Sequence, residues 1–224
     1  MRVLIFGASG MVGEGVLLEC LGHHSISTVL IVGRSPCGIE HEKIEEIIHS
    51  DFTDYGPIAD RLDGLGACFF CLGVSAAGMS EEDYRHVTYD FAIGAAEALS
   101  QLNPRAVFCY VSGAGTDSSE KGRSMWARVK GMTENRLLKM PFKSSYIFRP
   151  GYIQPKKGVR SKTRLYQAMY TVLAPLYPIW KTLFPRFVTT TERVGLAMIR
   201  VAEDGFPSPV LETRDINLLA SDRH

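Results

Sequence analysis

Four apolar residues, Val3-Leu4-Ile5-Phe6, run directly into Gly7, Gly10 and Gly13, spaced three apart. A short apolar run bounded by glycine reads as a buried strand, and Met11 to Leu21 behind it reads as a helix. The chain must therefore leave a strand, turn within a few residues and enter a helix. Each glycine has its own reason there. The first permits a tight turn, the second lets the backbone approach a bound pyrophosphate, and the third lets helix and strand pack closely. The helix start adds unpaired N–H groups and the positive end of its dipole, which suit phosphate.

The same strand–helix alternation continues along the chain. Further strands are expected at Thr28 to Val32, Ala67 to Leu72, Ala106 to Val111 and Ser145 to Phe148. Ile44 to Ile48 is a third-strand candidate that also reads as a helical turn over Glu42 to His49. A long helix is expected from Glu81 to Leu99, with Ser80 as N-cap, and another from Ser119 to Leu138. The pattern predicts an α/β chain, a Rossmann-type doubly wound parallel sheet over residues 1–224 read as a single domain. Residues 155–224 are expected to form a small helical C-terminal addition on the substrate side. In it, Pro175, Pro178 and Pro185 break the aromatic run 165–188 into short pieces. Thr191 to Ile199 reads as an amphipathic helix and Pro209 to Thr213 as a late strand.

Composition narrows the function classes. With 224 residues, 46% hydrophobic and 22% charged, the chain has material for a sizeable core. A net charge of +1 gives no basic face, so no nucleic-acid partner is expected. Cys68 and Cys71 form a C-x-x-C inside an apolar strand run, where residues three apart point to opposite faces. They are read as buried thiols, with no metal site. Irregular cysteine spacing, a start lacking signal-peptide features and no long apolar run together predict a reduced, cytoplasmic protein.

Ligands of such sheets bind beyond the C-terminal ends of the strands. The turn therefore predicts a dinucleotide held by Gly7, Ser9, Gly10, Met11, Val12 and Gly13. Specificity is read at the end of the second strand, where Gly33-Arg34-Ser35 stands and no acid follows until Glu40. An arginine suits a ribose 2′-phosphate, so NADP(H) is expected, with NAD(H) the alternative. A solvated loop arginine is the plainer reading of Arg34. Asp51 and Phe52, after the third strand, are placed beside the adenine.

The turn, Gly33-Arg34, Cys71-Leu72-Gly73, Val111-Ser112, Lys130 and Arg149-Pro150-Gly151 occur in this order. Together they resemble the short-chain dehydrogenase/reductase superfamily, in its atypical or extended, epimerase-like branch. The resemblance covers residues 1–155 well and the tail loosely. It implies that Leu72, Gly73, Val74, Pro150 and Gly151 line the cofactor. It also implies that Ser112 orients a substrate oxygen and that Lys130 bonds the nicotinamide ribose. The family tyrosine, one helical turn before that lysine, is replaced here by Trp126. An indole N–H donates a hydrogen bond but does not titrate near neutral pH. Trp126 is thus expected to exclude standard carbonyl reduction. Otherwise another group such as Tyr152 or His86 supplies the proton, or the chemistry needs no protein acid.

Two functions stay open. One is an NADP(H)-dependent oxidoreductase or epimerase-like enzyme with Ser112, Trp126 and Lys130 at its centre. The other is a non-catalytic NADP(H)-binding sensor or scaffold. The partner expected is a small molecule, apolar or phosphate-bearing. The aromatic run, with Arg160, Lys162 and Arg164 before it, suggests a substrate pocket, a homodimer contact or, less favoured, a membrane-surface contact.

Overall fold

Along β1 (Arg2–Phe6), Val3 and Ile5 face one way and Leu4 and Phe6 the other, and all four are fully buried. A strand apolar on both faces needs cover on both, which is the condition of a parallel sheet inside an α/β fold. The computed structural model, which describes residues 1–159 and 186–221, shows that arrangement. β1 pairs in parallel with β2 (Thr28–Gly33) on one side and β4 (Ala67–Phe70) on the other. β3 (Ile44–Ile48) lies outside β2, while β5 (Val107–Val111), β6 (Ser144–Arg149) and β9 (Val210–Glu212) follow β4. The seven-stranded order is β3-β2-β1-β4-β5-β6-β9. The direction of winding reverses between β1 and β4, and the glycine turn lies at that point.

One face carries Val3, Ile5, Val29, Ile31, Phe69 and Cys109. It is covered by α1 (Met11–Gly22), α5 (Thr191–Glu203) and α6 (Thr213–Leu219). The other carries Leu4, Phe6, Leu30, Phe70, Phe108 and Tyr110, under α3 (Phe91–Leu102) and Leu137 of α4 (Met125–Leu137). Each fully buried large side chain contributes roughly 1.5–3 kcal/mol, so the two layers supply the main driving force. Cys68 lies in the second layer and Cys71 packs against the first, on opposite faces as the strand period requires.

The fold class is therefore the one the sequence implies, and the third strand candidate is a strand as read, paired Val29 to Ile44 through Gly33 to Ile48. Three local differences remain. The fourth strand ends at Phe70, although the Cys71 N–H still donates to the Phe6 carbonyl at 3.0 Å before the chain departs. The helical stretch after Ser80 is made of α2 (Glu81–Arg85), a π-helical turn His86–Asp90, and α3. Ser80 caps it, its side chain accepting from the Asp83 N–H. The helix expected from Ser119 begins only at Met125, because the Asp117 carboxylate accepts from the backbone N–H groups of Ser119 (3.0 Å) and Gly122 (2.6 Å). Those bonds offer the backbone a turn in place of a helix; the Ser119 hydroxyl, donating to Asp117 Oδ1 at 2.6 Å, and then the backbone bonds hold the Asp117 carboxyl below its usual range.

A small parallel ladder, β7 (Tyr152–Gln154) with β8 (Val188–Thr190), was not evident in the sequence. It brings the late segment back to the end of β6. β9 then joins the main sheet, so the C-terminal part adds a strand as well as helices. The aromatic positions Tyr166, Tyr170, Leu173, Leu176, Tyr177, Ile179, Trp180, Leu183 and Phe184 lie outside the described residues. So do Arg160, Lys162 and Arg164. No described helix is long and apolar enough to cross a membrane.

Asn103, just past α3, closes the lower edge of the sheet. Its Oδ1 accepts from the Leu65 N–H at 2.8 Å, and its Nδ2 donates to the Leu62 carbonyl at 2.7 Å, all buried. Asn103→Ala orphans both groups, at roughly 1–3 kcal/mol each. Denaturant unfolding should show a loss of about 2–6 kcal/mol with an unchanged m-value.

Candidate functional site

Two backbone constraints shape the turn after β1. Gly7 has φ +77°, and a Cβ there would sit 2.8 Å from the Leu72 backbone. A Cβ on Gly13 would lie 2.1 Å from the Gly7 carbonyl oxygen. The last glycine is thus required by contact between helix and turn, a closer cause than the helix–strand packing expected from sequence. Gly10 caps α1 with no side chain accepting from the first-turn N–H groups, which leaves that helix end open to an anion.

A cavity of about 330 Å³ opens beside this turn, between the ends of β1, β2 and β4. Gly7, Ser9, Gly10, Arg34, Ser35, Phe52, Leu72, Gly73 and Val74, all expected as cofactor residues, line it. Val87 and Phe91, from the π-helical turn and the start of α3, close its far side. Arg34 is exposed at the rim, and no ion-pair partner meets it among the described residues. A larger hollow of about 750 Å³ lies at the other end of α1, by His23, His24 and Arg193, away from the strand ends.

The other expected cofactor residues do not line the cavity. Val12 packs into the core, and Met11 and Gly13 continue α1. Asp51 is exposed and its Oδ1 is taken by the Thr53 N–H (2.9 Å) and hydroxyl (2.6 Å), bonds that hold its carboxyl below the ordinary range. The Pro150 carbonyl accepts from the Ala114 N–H at 2.9 Å, and the Gly151 N–H donates to Thr213 Oγ1 at 2.9 Å. These two residues brace the end of β6.

A second cluster sits at the ends of β5 and β6. Ser112 is 8% exposed, and its hydroxyl donates to Glu134 Oε1. Glu134, on α4 and 1% exposed, is gripped by Arg149: Nε donates to both carboxylate oxygens at 3.1 Å and Nη2 to Oε2. Arg149 Nη2 also donates to Ser118 Oγ at 2.6 Å, and Nη1 stands 3.7 Å from Glu212. Lys130, one helical turn before Glu134, is half-buried. Its Nζ donates to the Val111 carbonyl at 3.4 Å and lies 5.4 Å from the centre of the Tyr110 ring. Burial pushes the Lys130 ammonium down to about 8, against the opposing pull of Glu134. Trp126 stands one turn further back, its Cη2 3.6 Å from where a Cβ on Gly115 would be.

Ser112, Lys130 and Trp126 are thus gathered at the end of β5. Glu134 and Arg149 were not read from the sequence as site residues. Their signals were a carboxylate four residues after Lys130, on the same helix face, and an arginine ending a buried strand. His86 is exposed and pairs with Asp90 at 3.1 Å. The Tyr152 hydroxyl donates to Gln154 Oε1 at 2.9 Å.

No family model matches the chain. The rat protein HTATIP2 is 29% identical over 67% of the chain, and the match spans 62% of that protein, less than two thirds of its length. Protein fmp52-2, mitochondrial, of Aspergillus terreus is 26% identical over 90% of the chain and 87% of its own length. Among solved structures, the Bordetella bronchiseptica enzyme WbmF in complex with NAD+ superposes with a TM-score of 0.68. It has 13% identity and covers 97% of this chain and 76% of that one. An oxidoreductase of the short-chain dehydrogenase/reductase family from Burkholderia thailandensis gives 0.67, at 16% identity over 91% and 85%. The fold that the motifs implied is the one these two solved enzymes share. The cytoplasmic expectation does not hold. Relatives from Aspergillus terreus, Aspergillus oryzae and Meyerozyma guilliermondii are all named mitochondrial proteins. Composition and cysteine spacing do not separate those compartments.

Removing Arg149 would leave Glu134 buried without its counter-charge, a change that costs about 3–5 kcal/mol. Arg149→Met should therefore lower stability by that amount in denaturant unfolding. Glu134→Gln with Arg149→Met should recover most of it, since no lone charge remains.

Proposed function

We propose that this chain is an NADP(H)-binding oxidoreductase or epimerase-like enzyme acting on a small, apolar or phosphate-bearing molecule. The observation that carries the reading is the cavity between the glycine turn and β2, lined by an exposed arginine that meets no ion-pair partner among the described residues. The open first turn of α1 suits a pyrophosphate, Phe52 and Phe91 offer apolar walls to an adenine, and Arg34 and Ser35 offer donors to a 2′-phosphate. Those residues fit the cofactor, which when bound supplies a hydride donor or acceptor at its nicotinamide. The residues at the end of β5 would then hold the substrate. Residues 1–224 are read as one domain. The names of the relatives support a mitochondrial setting.

A second reading, a sensor or scaffold that binds NADP(H) without turnover, draws support from Trp126 standing where the family has its tyrosine. Retention of both Ser112 and Lys130 at one strand end favours the enzyme.

Calorimetric titration with NADPH and NADH tests the cofactor. Wild type should prefer NADPH, and Arg34→Ala should erase most of that preference, a loss of about 1.5–3 kcal/mol for a charge-assisted bond. Equal affinities in wild type would sink the NADP(H) reading. Gly13→Val, whose Cβ meets the Gly7 carbonyl, should lose NADPH binding while circular dichroism still shows a folded chain. Undiminished binding would mean that the phosphate turn lies elsewhere.

A further inference from the structure

We propose that Lys130 is the proton-exchanging group of this site, where the family has a tyrosine, and that Glu134 is its positioning residue. The proposal rests on the cofactor reading above. It begins with a count of the protons available at the end of β5. The single proton of the Ser112 hydroxyl is directed to Glu134. The Thr116 hydroxyl donates to the Gly113 carbonyl at 2.8 Å and stands 3.0 Å from Ser112 Oγ. Ser112 can therefore accept from a substrate but has no proton to give while Glu134 is ionised. Trp126 does not titrate near neutral pH. Tyr110 is 1% exposed with Lys130 over its ring, and burial pushes its phenol up. Lys130 carries three N–H bonds, and the described structure engages one of them, weakly, with the Val111 carbonyl.

An ammonium can act as an acid only if it yields its proton near the working pH, and burial is how proteins arrange this for lysine. Lys130 is pushed down to about 8 by its surroundings. The groups facing it are Glu134 on its own helix, the Tyr110 ring from β5, and, behind Glu134, Arg149 from β6. Glu134 opposes the fall, and it is itself fixed by Arg149 and Ser112. In carbonyl reduction, hydride would reach the carbonyl carbon from a bound reduced nicotinamide, and the C=O π pair would pass to oxygen. An N–H bond of Lys130 breaks as an O–H bond forms on that oxygen. The neutral amine then regains a proton from water. Read this way, Trp126 does not by itself exclude carbonyl reduction.

The test uses the full chain. Lysine labelled at the ε-carbon is titrated by NMR, and the Lys130 signal is identified by its loss in Lys130→Arg. A midpoint near 8 is expected, moving lower in Glu134→Gln because the charge that favours the ammonium is gone. NADPH affinity of each variant is measured by calorimetry, so that rates are compared at saturating NADPH. With NADPH and the probe 9,10-phenanthrenequinone, the wild-type rate should fall as pH rises through the same midpoint, since the acid form is consumed. Lys130→Arg and Lys130→Met should both lose at least about 100-fold in rate, with circular dichroism confirming that each is folded. Failure to bind NADPH overturns the cofactor reading and this proposal with it. If NADPH binds, the proposal alone is overturned by any of three results: an ordinary lysine midpoint, no quinone reduction by wild type, or a Lys130→Arg variant that keeps its rate.

Discussion

An all-parallel sheet leaves both of its faces apolar, and covering both is the constraint from which the rest of this molecule follows. Every crossover must carry the chain back over one face or the other, so every strand ends at the same edge. That edge collects the loops, and the loops collect the polar residues that the faces exclude. The reversal of winding between β1 and β4 parts two of those loops and leaves the hollow into which the glycine turn, Arg34 and Leu72 to Val74 project. The cavity is thus a by-product of topology, and its chemistry comes from a few side chains at the strand ends.

The second cluster follows a different logic. A carboxylate as deeply buried as Glu134 is costly unless it is paired and hydrogen-bonded. Arg149 and Ser112 meet that need from two neighbouring strands. The network ties α4 to the ends of β5 and β6 and fixes the level at which Lys130 sits. Stability and chemistry are joined here: the residues that make Glu134 tolerable also orient the face that a substrate would meet.

Much of this was legible beforehand, because the signals were local. Val3 to Phe6 followed by the glycines announces strand, turn and helix whatever surrounds them, and Arg34 announces itself by the absence of an acid. Ser80 at the head of a helix is equally local. What was hidden depends on residues distant in sequence. Glu134 and Arg149 become a pair only once α4 lies across β6. The π-helical turn at His86–Asp90 has no composition of its own, yet Val87 within it and Phe91 just after it reach the cavity wall. The late start of α4 was missed because Asp117 reaches forward to Gly122, a side-chain bond that helical periodicity does not reveal.

The seventh strand has a consequence for how the chain is made. β9 pairs with β6 near the end of the sequence, and the contacts beside it, such as the Phe206 N–H donating to the Tyr146 hydroxyl, join residues 60 positions apart. During synthesis β6 emerges well before the strand that will cover it. A nascent chain held at that stage carries an open, apolar sheet edge, the kind of surface on which other chains add strands. Truncations before β9 would keep that edge of β6 open for good, exposing the backbone groups of Ile147 to Arg149 that β9 otherwise pairs.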